Sequence, residues 1–213
     1  MQKGSVLGPM ILCGICFFES NLNLLLEIGV RDSKKLSLKK RSQLAQILKN
    51  KCNSYKIVKI SANEIDEREI KRMTLNRLEE LKMAEIINDL KPDIVYIDAA
   101  DVNELRFGNS IRNLLNYKPK EIISKHKADD LFPIVSASSI IAKDQRDTLI
   151  NETYKIYGNF GSGYPSDIRT INFLRNYIQK YKKPPKIARQ SWDTTKKIMR
   201  ENVFNKKITE FIN

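Results

Sequence analysis

Four consecutive apolar residues, Ile94-Val95-Tyr96-Ile97, stop at Asp98 and stand between two helical patterns. Such a run reads as a strand buried on both faces, of the kind parallel sheets contain, with a carboxylate at its end. Upstream, Thr74 can cap a helix in which Leu75, Leu78, Leu81, Ile86 and Leu90 recur at helical spacing until Pro92 stops it. Downstream, a helix is expected over Glu104 to Leu115, a short strand over Glu121 to Ser124, and a helix over Ser136 to Tyr157. The small residues that open this last helix let its first turns lie close to a sheet. Strands alternating with helices argue for a layered, mixed α/β structure.

The flanks complete this frame. Met10 to Phe18 and Leu22 to Val30 are two apolar runs separated by Glu19, Ser20 and Asn21, and together they read as a hairpin. Ser37 offers an N-cap for a helix to about Asn50, and Tyr55 to Ser61 alternates as a strand does. Ser166 is the expected cap of an amphipathic helix carrying Ile171, Leu174, Tyr177, Ile178 and Tyr181. A terminal helix is expected from about Ala188 to Phe204. At 213 residues the chain suits one medium domain with a helical appendix.

The net charge of +13 calls for an anionic partner. Between Arg175 and Asn213, eleven Lys or Arg stand against three acids, so eight of the thirteen excess charges lie in the last fifth of the chain. A basic face of this kind suits a phosphate backbone, and an ordinary solvated tail is the plainer alternative. Cys13, Cys16 and Cys52 are an odd number without framework spacing, so they read as small core residues rather than disulfide partners or zinc ligands. No signal peptide is visible, and no apolar stretch approaches the roughly 18 residues of a membrane span, so a cytoplasmic protein is expected.

Asp98 is the first candidate for chemistry, because sites in open α/β sheets gather at the carboxyl ends of strands. Asp129 is the second, since Lys125-His126-Lys127-Ala128-Asp129-Asp130 follows another expected strand. Taken singly, each acid reads as a turn or a charged loop. Together on a basic chain they fit phosphodiester hydrolysis, which needs no protein nucleophile where carboxylates hold divalent cations that activate water.

Six segments then occur in the order found in ribonuclease HII, most nearly in its archaeal branch: GSVLGPM from Gly4, DSKKLS from Asp32, YIDAADVN from Tyr96, HKAD from His126, SASSIIAK from Ser136 and GSGYPSD from Gly161. The similarity spans residue 4 to about 195. What the resemblance implies is an α/β, RNase H-like mixed sheet flanked by helices over residues 1–160, with a basic, substrate-binding helical extension over 161–213. It implies a monomeric endonuclease of DNA replication and repair that cuts the RNA strand of RNA–DNA hybrids, including ribonucleotides embedded in DNA, with Mn2+ or Mg2+. Asp98 and Asp129 would be catalytic metal-site carboxylates. Tyr164 would stack on the sugar of an RNA–DNA junction, Lys35 and Lys143 would contact phosphate, and Gly4 would belong to the substrate-binding residues. His126 would position a loop or touch substrate rather than act as the essential base.

The family's opening motif, Asp-Glu-Ala-Gly-Arg-Gly, aligns its last glycine with Gly4, its arginine with Lys3 and its middle glycine with Gln2. The resemblance therefore puts a first strand and two further carboxylates ahead of Met1. A hybrid-binding protein of impaired catalysis is the alternative reading.

Overall fold

The computed structural model describes residues 4–30 and 36–201. Its elements are β1 (Met10–Cys16), α1 (Asn23–Ile28), α2 (Leu38–Lys51), β2 (Ser54–Ile60), α3 (Ala62–Ile70), α4 (Leu75–Leu90), β3 (Ile94–Asp98), α5 (Glu104–Arg112), β4 (Glu121–Lys125), α6 (Ala128–Leu131), α7 (Pro133–Tyr157) and α8 (Ile168–Tyr181), followed by a helix over 193–201. The strands form two pairs, β1 with β2 and β3 with β4, and among the described residues no strand joins the pairs into one sheet.

The chain divides into two compact units. Residues 11–59 and 74–147 make up the first, which holds both strand pairs. One of its cores joins Ile15 of β1, Leu25 of α1 and Leu44, Ala45 and Leu48 of α2 to Ala137, Ile140 and Ile141 of α7. The small residues at the start of α7 allow this: Ser136 is buried and its hydroxyl donates to the Val30 carbonyl at 2.6 Å. A second core packs Ala84 and Ile87 of α4 and Phe107 and Ile111 of α5 on Val95 and Ile97 of β3. Helix α4 also lies against β1, where a Cβ on Gly14 would stand 2.4 Å from Ile86 Cγ2.

The second unit contains residues 4–10, 60–73 and 148–201. Val6 and Leu7, both fully buried, donate their N–H groups to the Gly163 carbonyl at 2.8 and 3.0 Å. Leu7 pairs with Ala188, Gly8 N–H donates to the Ile187 carbonyl, and Arg189 N–H donates to Val6. The amphipathic helix α8 buries Leu174 and Ile178 in this unit.

The expected elements need correction in several places, and the terminal helix starts at 193 rather than 188, where Ala188 instead pairs with Leu7. Leu22 to Val30 is no strand: after a 3-10 turn over Glu19–Asn21 it forms α1, with Leu22, Leu25 and Ile28 on the inner side. Gly29 at φ 80° then closes it in the left-handed conformation glycine adopts without steric cost. Helix α3 follows β2 without having been expected, although Ser61 and Glu64 form a reciprocal capping box at its start. Helix α8 is capped by Asp167, one residue beyond Ser166. The Ser37 and Thr74 caps form as expected, on Lys40 N–H and Arg77 N–H.

Candidate metal and nucleic-acid site

Strands β3 and β4 run parallel, with Asp98 opposite Lys125, so both chains leave the pair at the same end. The Ala99 N–H donates to the Lys125 carbonyl at 2.9 Å and extends the ladder past Asp98. After Lys125 the chain turns at once into the short helix α6, whose second residue is Asp129. The Asp98 carboxylate accepts the Ala128 N–H at 3.1 Å. Asp98 therefore touches the backbone immediately before Asp129. Asp98 is exposed and Asp129 half-buried.

The turn between them is held tightly. Lys127 has φ 53° and ψ 40°, a left-handed conformation that costs a side-chain-bearing residue roughly 1–2 kcal/mol. Glu104, in the first turn of α5, accepts the His126 N–H at 2.6 Å with Oε1 and the Lys125 ammonium at 3.2 Å with Oε2. The His126 N–H, and then the Lys125 ammonium, hold the Glu104 carboxyl below the usual carboxylate range. His126 Nε2 lies 3.1 Å from the Val102 carbonyl oxygen. The only histidine thus ties the loop after β4 to the loop after β3.

Asp101 has a different environment from Asp98. It is buried and accepts the Asn103 N–H at 2.9 Å, the Arg106 guanidinium at 2.5 and 2.6 Å, and the Asn76 amide at 3.3 Å. The Asn103 N–H first, then Arg106, bring its carboxyl down to about 2. Neither Glu104 nor Asp101 stands out in the sequence as a site residue. The signal available for Glu104 was its place directly after the cap residue Asn103, whose side chain accepts the Arg106 N–H.

Oxygen donors at an accessible strand end suit a hard divalent cation, and Asp98 and Asp129 fit such an ion as part of its shell. Among the described residues no group of three or more His, Cys, Asp or Glu gathers to complete one. The three cysteines are free thiols, and burial pushes Cys13 up to about 12, in keeping with packing roles.

The expected substrate contacts fall in both units. In the first, Lys143 is half-buried on α7, next to Asp144, which pairs with Lys49 at 3.7 Å. In the second, Gly4 leads into the Val6–Leu7 segment bound by Gly163, the residue before the exposed Tyr164. Gly4 and Tyr164 therefore sit on two segments joined by hydrogen bonds. Gly4 also packs near Trp192, over whose ring the guanidinium carbons of Arg68 and Arg189 lie at 5.2 and 4.9 Å. Lys35 and most of its segment, 31–35, lie outside the described residues.

The family model for ribonuclease HII matches residues 2–195. Ribonuclease HII of Methanocella arvoryzae is 46% identical over 198 residues, covering 92% of this chain and 88% of the relative. That of Thermococcus kodakarensis is 42% identical over 210 residues, 98% of this chain and 90% of the relative. The crystal structure of the ribonuclease H2 from Pyrococcus horikoshii OT3 superposes with a TM-score of 0.89 at 38% identity, covering 95% of each chain. The ribonuclease HII in the PCNA complex from Archaeoglobus fulgidus gives 0.80 at 35% identity and 88% of each chain. By sequence along nearly its whole length and by fold, the chain belongs to the ribonuclease HII family.

Proposed function

We propose that the protein is an endonuclease that hydrolyses the RNA strand of RNA–DNA hybrids, including ribonucleotides embedded in DNA, with Mn2+ or Mg2+. The observation that carries this reading is the Asp98–Ala128 hydrogen bond, which brings the Asp129 turn onto the strand-end carboxylate. Asp98 and Asp129 would hold the cation, and a bound divalent cation supplies activation of water and stabilisation of the leaving oxygen. The protein's own work is to hold the duplex and the two acids. Tyr164, a partly exposed residue, would stack on the sugar at an RNA–DNA junction. Gly4 would bind substrate beside it, Lys143 and Lys35 would contact phosphate, and His126 would position its loop. The basic residues of 161–213 would track the duplex backbone as a substrate-binding extension to a catalytic domain over 1–160. We place the enzyme in the cytoplasm as a monomer, and no helix among the described residues is long and apolar enough to cross a membrane. The alternative of a catalytically impaired hybrid-binding protein has no support among the relatives, which are themselves ribonucleases HII.

The test is cleavage of three duplexes by the purified protein: a DNA duplex containing one ribonucleotide, a long RNA–DNA hybrid, and plain DNA. Cuts leaving a 3′-hydroxyl in the ribonucleotide-bearing strands, present with Mn2+ or Mg2+ and absent with chelator, are expected. Equal cutting of plain DNA, or cutting that survives chelation, overturns the proposal.

A further inference from the structure

We propose that Glu104 is a positioning residue that sets the Asp129 carboxylate beside Asp98. The inference rests on the metal-site reading of those two acids and adds a residue that takes no direct part in holding the ion.

The connection from β4 to α6 is only two residues long, His126 and Lys127, and Lys127 is in the left-handed region. Nothing in a lysine favours that conformation, so the surroundings must impose it. They do so from both sides of Lys127. On the far side Asp98 accepts the Ala128 N–H, and on the near side Glu104 accepts the His126 N–H. The near-side contact is the shorter, 2.6 Å against 3.1 Å. Glu104 is itself fixed, because it opens α5, where helix polarity favours a carboxylate, and α5 is anchored by buried Phe107 and Ile111. Its second oxygen holds Lys125, the last residue of β4. His126 Nε2 closes the frame on the Val102 carbonyl, two residues before Glu104. Asp98 also meets this turn through Ala128, so a slack turn disturbs both acids together.

Position and charge are separable at this residue. Glu104→Gln keeps the reach and the Oε1 acceptor but loses the charge, whereas Glu104→Asp keeps the charge and retracts the oxygens by one methylene. Two readouts are needed on the full-length protein. The first is amide hydrogen exchange of His126 and Ala128 in metal-free protein. The second is the Mn2+ concentration giving half-maximal cleavage, measured with KM for a hybrid duplex. Removing a residue that orients metal ligands typically weakens metal affinity about 10- to 100-fold. Glu104→Asp is expected to exchange both amides faster and to need about tenfold more Mn2+ with KM unchanged, while Glu104→Gln stays near the parent in both. The reverse order, with Glu104→Gln the worse variant, assigns Glu104 a charge role and overturns the inference, as does equal behaviour of the two variants. A parent protein that neither binds Mn2+ nor cuts hybrids defeats the nuclease reading, and the exchange comparison still decides the role of Glu104 in the turn.

Discussion

At the scale of single residues, four acids around one strand end have been given different work by their neighbours. Asp101 is spent internally on Asn103, Arg106 and Asn76, whereas Asp98 remains exposed and turned to the Asp129 loop. Because the Asp101 carboxyl is brought from 3.8 to about 2, its contribution to stability is present above pH 4 and is lost as pH falls toward 2. Thermal melts should therefore show Asp101→Asn below the parent at neutral pH, with the two curves converging near pH 2. A gap that stays constant over that range contradicts the assignment. The sequence distinguished Asp98 because an apolar strand ends on it. It could not reveal the fates of Asp101 and Glu104, since both depend on α5 folding back over β3 and β4. That packing brings Phe107 and Ile111 onto Val95 and Ile97, and a Cβ on Gly108 would already stand 3.0 Å from Ser124 Cβ.

At the scale of elements, helix starts were the most readable feature, because a cap is a local hydrogen bond needing one side chain and one amide. Ser37 and Thr74 were legible for that reason, and the Ser61–Glu64 capping box carried an equally local signal for α3. Ser61→Ala removes an acceptor from the Glu64 N–H and should lower unfolding free energy by about 1 kcal/mol in denaturant titration. No measurable change would mean that α3 is held by its buried Ile65 and Arg68 instead. The run over Leu22–Val30 was opaque because a short apolar stretch fits a strand and a buried helical turn alike, and only Gly29 marked the end of a helix. At Gly14 the constraint is tertiary and equally hidden. Gly14→Ala pushes a methyl into Ile86 and Leu90 and should cost about 1–3 kcal/mol, read from the same titration.

At the scale of the whole molecule, the fold class and the family could be read from the ordered motifs, whereas the grouping of distant segments could not. Residues 4–8, the Gly163 loop and the 187–192 segment meet through backbone hydrogen bonds, which leave no pattern in side-chain periodicity. The uneven charge also acts at this scale. Replacing Lys180, Lys182 and Lys183 by Gln should flatten the dependence of log affinity for hybrid on log salt by up to about 3 units, with cutting positions unchanged. An unaltered slope would show that these lysines point away from the duplex. The proposed cleavage depends on Asp98 and Asp129 acting as one metal-holding pair. The most direct measurement is single-turnover cleavage, across a range of Mn2+ concentrations, of a duplex containing one ribonucleotide by the parent, Asp98→Asn and Asp129→Asn. Each variant is predicted to melt as the parent does, to bind the duplex within a few-fold, and to cut at least about 100-fold more slowly at every Mn2+ concentration. Cleavage within a few-fold of the parent by either variant contradicts it.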